Sequence, residues 1–110
     1  MGVVMNSEKS NSATVVLVQS LIQDLVNTGM SYSRISKRLG LSPSTMQKIV
    51  TKNRMPRIKT IIDIGNYYIK IFESPQSYGE STMNYYLKNS EKINNKIFCI
   101  KRLLLVLISK

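Results

Sequence analysis

Residues 31–50 constrain the fold of this chain more than any other segment does. On either side of Gly40, apolar residues recur three to four positions apart, a spacing typical of amphipathic helices. Ser31 and Ser42 stand where the two helices would begin, and serine is a favoured N-cap. Pro43 suits a first helical position, and glycine turns the chain at low cost. The segment therefore predicts two helices joined by a tight turn, the helix-turn-helix arrangement.

The rest of the chain has the pattern of longer helices. Apolar residues recur with helical spacing over residues 13–28 and 57–72, and again over residues 82–110. Gly29 can end the first of these helices in a left-handed conformation. Gly65 lies inside the second, where it predicts either a close helix contact or a break. The predicted fold class is therefore all-α.

Composition divides the chain of 110 residues into four parts. Residues 1–12, which contain several serines and asparagines, predict a disordered tail, and residues 13–73 predict a four-helix helix-turn-helix domain. Residues 74–81 have the proline, glycine and serine content of a linker. Residues 82–110 predict an additional C-terminal helix. The chain is thus one domain with an appendage.

The chain is strongly basic, with a net charge of +10. A domain of this charge favours polyanions, because counterions are released from phosphates on binding. Residues 34–59 contain no acidic residue, so positive charge is concentrated around the predicted turn. A nucleic acid is the favoured partner, and a membrane surface is the rival. The cations of this segment are Arg34, Lys37, Arg38, Lys48, Lys52, Arg54, Arg57 and Lys59.

Composition argues against an enzyme. The chain has no histidine, so the usual general base at neutral pH is missing. The single cysteine, Cys99, cannot form an internal disulfide, and a zinc site of several cysteines and histidines is impossible. The six acids are scattered without a close pair. We expect no catalytic residue, no metal site and no cofactor, and we predict that Cys99 is a small buried hydrophobe.

No segment has the pattern of a membrane span or a signal peptide. The longest apolar run, residues 103–108, is far shorter than the roughly 20 residues that cross a bilayer. Residues 1–12 lack a positive segment followed by an apolar core. These observations predict a cytoplasmic chain that does not enter a membrane.

Residues 15–72 resemble the λ repressor/Cro-like, or XRE-type, family of helix-turn-helix domains. The sequence departs from the family at Ser36, where alanine is usual, and at Met46, where isoleucine or valine is usual. The hydroxyl group of a serine at position 36 can donate a hydrogen bond to the backbone carbonyl one helical turn earlier. The helix-turn-helix of invertases and transposases favours a similar turn, but it has three helices. The resemblance rests on Pro56, which leads into the next helix, and on Ile35, Leu39, Gly40, Leu41, Ser42, Met46 and Ile49.

The resemblance implies that the second helix of the motif, residues 43–52, enters the major groove of double-stranded DNA. Members of the family contact base edges from the first turn of this helix and from the position one turn later. Lysine can donate to guanine, glutamine can pair with adenine, and serine or threonine serves several bases. Solvated helix surface is the alternative interpretation. The predicted base contacts are Ser44, Thr45, Gln47, Lys48 and Thr51.

Phosphate contacts are predicted on both sides of that helix. A helix N-terminus offers free N–H groups and a positive dipole to a phosphate, and the resembling family uses the start of the first motif helix in this way. The segment after the second motif helix touches the DNA backbone too. Such contacts set affinity and register, whereas base contacts set sequence choice. The predicted phosphate contacts are Ser31, Tyr32, Ser33, Arg34, Lys37, Arg38, Lys52, Arg54, Arg57 and Lys59.

The C-terminal segment has a coiled-coil-like seam, with apolar residues on a three-four alternation. Two-fold pairing is the commonest oligomer, and a repressor-like domain reads two half-sites only as a dimer. The alternatives are a cap on the chain's own core, a contact to another protein through residues 82–110, and a basic amphipathic segment on a membrane. Homodimerisation is predicted through Met83, Tyr86, Ile93, Ile97, Ile100, Leu104 and Leu107. The tyrosines at positions 67, 68, 85 and 86 are predicted to pack the fourth helix against this segment.

Motif, charge and resemblance together favour a sequence-specific, double-stranded-DNA-binding transcriptional regulator, a homodimer that represses rather than activates. Small regulators of phages, plasmids and other mobile elements often have this layout. Two hypotheses belong to other classes. One is a protein-interaction module, such as an antitoxin or an adaptor of a larger regulator. The other is the DNA-reading subunit of a recombinase or transposase system.

Overall fold

The computed structural model describes the backbone of residues 2–109 and the side chains of residues 13–109. This part of the chain forms five α-helices and one short 3₁₀ helix, and it contains no strand. The all-α prediction is confirmed. In chain order the elements are α1 (Gly2–Asn27), α2 (Tyr32–Leu39), α3 (Pro43–Thr51), α4 (Ile58–Glu73), the 3₁₀ helix (Pro75–Tyr78) and α5 (Glu80–Ile108).

Some boundaries differ from those predicted. Helix α1 begins before the predicted start at Ala13. The predicted tail, residues 1–12, lies outside the residues whose side chains the structure describes. The predicted linker holds the 3₁₀ helix, and Pro75 within it is buried. Helix α5 is kinked at Asn89, whose φ is −127° and ψ is 22°. The Asn89 side chain donates to the carbonyl of Tyr85 at 3.0 Å, and such local bonds compete with the helical ones.

Serine side chains cap both helices of the motif, as predicted. Ser31 Oγ accepts the backbone N–H of Arg34 at 3.1 Å, at the start of α2. Ser42 Oγ accepts the backbone N–H of Thr45 at 3.2 Å, at the start of α3. Pro43 occupies the first turn of α3, where its missing N–H costs nothing. The two helix starts are therefore specified locally by the sequence.

The turn between α2 and α3 depends on a left-handed residue. Gly40 has φ 68° and ψ 28°, and its N–H donates to the carbonyl of Lys37. The N–H of Leu41 donates to the carbonyl of Ser36 at 2.9 Å, which completes a Schellman turn. Ser36 is 3% exposed, and its hydroxyl donates to the carbonyl of Tyr32 at 2.8 Å. Serine thus occupies the position where the resembling family has alanine, with its hydroxyl bonded as predicted.

All five helices contribute to one hydrophobic core. Its buried residues lie on α1 (Val18, Leu21, Ile22, Leu25), α2 (Ile35), α3 (Met46, Ile49), α4 (Ile61, Ile64, Tyr68, Ile71, Phe72) and α5 (Ile93, Ile100, Leu104). Burying such apolar surface is the main favourable contribution to folding. Helix α5 is therefore part of the same packed unit as the helix-turn-helix.

The seam of α5 faces the chain's own core. Ile93, Ile100 and Leu104 are 0%, 1% and 7% exposed, so these side chains are closed to a second copy. The structure therefore corrects their assignment to a dimer interface and shows the alternative, a cap on the chain's own core. The remaining seam residues are half-buried: Met83, Tyr86, Ile97 and Leu107.

Gly65 marks a close contact between α4 and α5, not a break in the helix. A Cβ atom at this position would lie 2.8 Å from Ile100 Cγ2, closer than van der Waals contact permits. It would also lie 3.6 Å from Leu104. The absence of a side chain at Gly65 lets α5 approach α4 closely, which offsets the roughly 1 kcal/mol that glycine costs in a helix.

Asp24 joins three helices through a buried carboxylate that the sequence analysis missed. It is 6% exposed. Its oxygens accept hydrogen bonds from the hydroxyl groups of Tyr68 on α4 and Tyr85 on α5, each at 2.6 Å. Lys96 on α5 completes the cluster with an ion pair of 2.7 Å. Burial raises the pKa of Tyr68, and the hydrogen bond to Asp24 raises it further.

Two of the four tyrosines, Tyr85 and Tyr86 of α5, pack against Phe72 of α4, as predicted. Their ring centroids lie 6.4 Å and 6.2 Å from that of Phe72, whereas the Tyr68 ring contacts Phe72 within α4 at 4.8 Å. Tyr67 instead directs its hydroxyl to the sulfur of Met30, at 3.9 Å. The prediction for Cys99 is wrong, because the thiol is exposed.

We expect the protein to lose stability as the pH rises above about 10, the ordinary pKa of tyrosine. In the unfolded chain Tyr68 ionises there, whereas its raised pKa keeps the folded phenol protonated. The unfolded state then binds fewer protons, so the free energy of unfolding falls by up to about 1.4 kcal/mol per pH unit for this group. Urea unfolding between about pH 8 and pH 11 measures the slope. Tyr68→Phe should flatten it, and equal slopes in the two proteins would contradict the assignment.

Candidate nucleic-acid interface

Helix α3 presents a polar face to solvent while its other face lies in the core. Met46 and Ile49 are 2% and 1% exposed, and they hold the helix in place. The predicted base contacts lie outside: Ser44, Thr45, Gln47 and Thr51 are exposed, and Lys48 is half-buried. Buried residues position this helix, and its polar side chains lie on the face toward solvent.

A cleft of about 330 Å³ lies between α3 and the beginning of α2. It brings Gln47 and Thr51 of the predicted base contacts together with Tyr32 and Ser33 of the predicted phosphate contacts. Lys37 lies one turn after Ser33 on α2 and is not among the residues that line this cleft. The structure thus joins the start of α2 to one flank of α3.

A second cleft, also of about 330 Å³, lies on the other flank of α3. Thr45 and Lys48 of the predicted base contacts line it together with Arg54 and Arg57 of the predicted phosphate contacts. Three cations therefore converge beside a polar groove. Between residues 34 and 59 the chain has no acid that would neutralise them.

Two hydroxyl groups on α3 are already engaged within the motif. Thr51 donates its hydroxyl to the carbonyl of Gln47 at 2.7 Å. Thr45 Oγ1 accepts a hydrogen bond from the Ser42 hydroxyl at 2.9 Å. In this arrangement Thr45 can still donate to a base, whereas Thr51 offers an acceptor. The two threonines therefore differ in the base groups that they suit.

The remaining predicted phosphate contacts are not brought to the two clefts. Arg34 and Arg38 are exposed on α2 and line neither cleft, and their positive charges oppose the rise that burial causes in the pKa of Tyr67. Lys59 pairs with Asp63 at 3.0 Å, one turn along the same helix. Ser31 is exposed at the beginning of α2, and Lys52 is exposed just after α3.

Gln19 on α1 supports α3 in a way that the sequence analysis missed. Its side-chain amide donates to the carbonyl of Ile49 at 2.9 Å and to Asn53 Oδ1 at 2.7 Å. Carbonyls in the last turn of a helix have no partner within the helix, so this amide acts as a C-terminal cap. Asn53 has a left-handed φ of 52°. A single glutamine on α1 carries no local signal for this role, because its partners follow 30 and 34 residues later.

Comparison of the chain with protein-family models, curated proteins and solved structures gave no match. The described residues contain no group of three metal-ligating side chains close enough to hold an ion. Across residues 2–109, none of the helices combines the length and the apolar character that crossing a bilayer needs. The functional argument therefore rests on the geometry and charge around α3.

Proposed function

We propose that this chain is a sequence-specific, double-stranded-DNA-binding transcriptional regulator that acts in the cytoplasm as a homodimer. Helix α3 enters the major groove, and the beginning of α2 and the segment after α3 contact the phosphates. The protein represses by occluding a promoter, and it uses no cofactor and no catalytic step. The residues that contact bases are those on the exposed face of α3, from Ser44 to Thr51.

One observation carries this proposal: α3 is a short exposed helix with a cleft on each flank. Its outward side chains are hydroxyl groups, an amide and one lysine, which are the groups that read base edges. Lys48, Arg54 and Arg57 line the cleft on one flank, and Tyr32 and Ser33 line the cleft on the other. This arrangement suits bases along the exposed face of α3 and phosphates beside it.

The geometry also ranks the predicted phosphate contacts. Arg54 and Arg57 share a groove with Lys48, so they are the strongest candidates on that flank. Tyr32, Ser33 and the free N–H groups of the first turn of α2 serve the other flank. Arg34, Arg38 and Lys59 contribute long-range attraction, which depends on ionic strength.

Selection from a random duplex pool tests the proposal directly. We expect a consensus sequence whose affinity exceeds that of random duplex by about 10³ or more at physiological salt. A palindromic consensus would support two-fold pairing. Equal affinity for all duplexes would overturn the proposal.

The Lys48→Ala variant tests the role of the exposed face. Loss of one good base contact is worth about 1–3 kcal/mol of discrimination, so we expect the specific-to-random affinity ratio to fall about tenfold or more. Lys70→Ala is the matched control, because Lys70 is an exposed lysine on α4 and its loss removes the same charge. A ratio that falls equally in both variants would mean that Lys48 contributes charge alone.

A further inference from the structure

The last turns of α5 carry large apolar side chains that the core leaves uncovered. Phe98, Leu105, Val106 and Ile108 are 62%, 71%, 55% and 67% exposed, and together they form the C-terminal patch. Phe98 and Leu105 are seven residues apart, so they lie on one line of the helix, two turns from each other. A contiguous exposed apolar surface of this kind marks an interaction site.

The C-terminal patch is wide and convex. Successive residues of an α-helix are about 100° apart around its axis, so Val106 and Ile108 lie on either side of Leu105 and the three cover roughly 160° of the circumference. The seam between two packed helices is a narrower stripe. An apolar arc of this width suits a soft layer that surrounds the helix better than it suits one rigid partner helix.

Arg102 lies inside the C-terminal patch. Its guanidinium is 5.6 Å from the centre of the Phe98 ring, and Leu105 follows one turn later. A protein that covered this guanidinium would have to remove its water and supply a paired acid. The stem of an arginine can instead rest on hydrocarbon while its head reaches a phosphate. The best partner therefore offers phosphate and hydrocarbon side by side.

The charges around the C-terminal patch are almost all positive. Lys92 and Lys101 are exposed on α5, and no acidic residue follows Glu91 in the chain. Lys101 lies 3.5 Å from Glu73 of α4, but both side chains are more than half exposed, so this pair contributes little and can exchange. Charge complementarity thus selects an anionic partner.

We propose that the C-terminal patch binds the surface of an anionic lipid bilayer, with the end of α5 lying in the plane of the interface. The four apolar side chains enter the boundary between headgroups and acyl chains, while Arg102 and the neighbouring lysines contact lipid phosphates. This contact goes beyond the proposed function. Helix α5 packs on α4 and α1, whereas α3 packs on α2 and α1, so lipid and DNA meet different helices of the domain.

A single fluorophore tests where the lipid binds. The chain has no tryptophan, so Phe98→Trp places one indole in the C-terminal patch and keeps that position aromatic. We expect its emission to move to shorter wavelength on addition of vesicles made of phosphatidylglycerol and phosphatidylcholine in equal parts, because the ring leaves water. Val16→Trp is the matched control, since Val16 is 62% exposed on α1 and its replacement should show no shift.

The same vesicles separate the contributions of charge and apolar surface. Vesicles of phosphatidylcholine alone should bind at least about tenfold more weakly, since each cation near an anionic surface strengthens binding about fivefold. The Phe98→Ser, Leu105→Ser double variant keeps every charge, and it should bind the anionic vesicles about tenfold more weakly for each side chain removed. Both positions are exposed, so its helical circular dichroism should be unchanged.

The control for this variant removes apolar side chains elsewhere. Val16→Ser, Met55→Ser replaces two other exposed apolar residues and should sediment with anionic vesicles as the wild type does. Equal vesicle binding by the two double variants would overturn the proposal, because the chain would then be held by its other cations. Vesicle binding that leaves the emission of Phe98→Trp unshifted would overturn it in the same way.

Two further outcomes distinguish other occupants and the proposed function. Emission of Phe98→Trp that is already shifted without lipid, and that depends on protein concentration, would show that a second copy covers the C-terminal patch and would overturn lipid binding. Selection from the duplex pool contains no lipid, so it tests DNA binding independently. A chain that selects a DNA consensus but shows no vesicle-dependent shift overturns this inference alone, and the converse result overturns only the proposed function.

Discussion

Replacing Asp24 with alanine is expected to lower the free energy of unfolding by about 3–5 kcal/mol. The carboxylate accepts hydrogen bonds from Tyr68 and Tyr85 and pairs with Lys96, all at 2.7 Å or less. Its removal leaves the Lys96 ammonium group and the Tyr68 and Tyr85 hydroxyl groups without this acceptor, where α1, α4 and α5 meet. Unsatisfied buried donors cost more than the original contacts contributed.

Chemical denaturation followed by circular dichroism measures this effect. Asp63→Ala is the matched control, since Asp63 pairs with Lys59 on an exposed face of α4 where the lysine side chain is 87% exposed. An exposed pair of this kind contributes about 0.3–0.5 kcal/mol. Similar losses in the two variants would show that burial of Asp24 does not determine its contribution.

Replacing Ile93 with alanine is expected to lower the free energy of unfolding by about 2–5 kcal/mol. Ile93 is 0% exposed, so truncation removes apolar contacts and leaves a cavity between α5 and the core. The contacts lie within one chain. The difference in stability between variant and wild type should therefore be the same at low and high protein concentration.

This measurement distinguishes packing of the α5 seam within one chain from packing of the seam between two copies. Were the seam a contact between copies, Ile93→Ala would dissociate a dimer and leave the stability of each monomer unchanged. That result would contradict the packing described above. Val16→Ala is the control, because surface truncations usually change stability by about 0.5 kcal/mol or less.

Local features of the sequence predicted the helix-turn-helix closely. Helix α2 lies between Ser31 and Gly40 and α3 begins at Pro43, as predicted, because Ser31, Ser42 and Gly40 act through hydrogen bonds to residues within one or two turns. The hydroxyl bond of Ser36 is equally local. Such interactions involve residues that are close in the sequence, so the amino-acid sequence alone predicts them.

Side-chain exposure on α3 was also predictable, since helical periodicity separates Met46 and Ile49 from the polar residues between them. Periodicity did not reveal which predicted phosphate contacts would converge. Arg54 and Arg57 come beside Lys48 only because the chain folds back after α3. Arg34 and Arg38 line neither cleft, although their charge made them equal candidates in the sequence.

The sequence by itself determined the all-α class, the caps and turn of the motif, and the apolar faces of its helices, because those follow from interactions within a few residues. Only the tertiary structure decided what each apolar face packs against. The same three-four alternation on α5 suits a second chain or its own core, and Gly65 with Ile100 shows which one is used. Tertiary structure likewise brought Asp24 to Lys96 and Gln19 to Asn53, since contacts between distant segments depend on how whole helices pack.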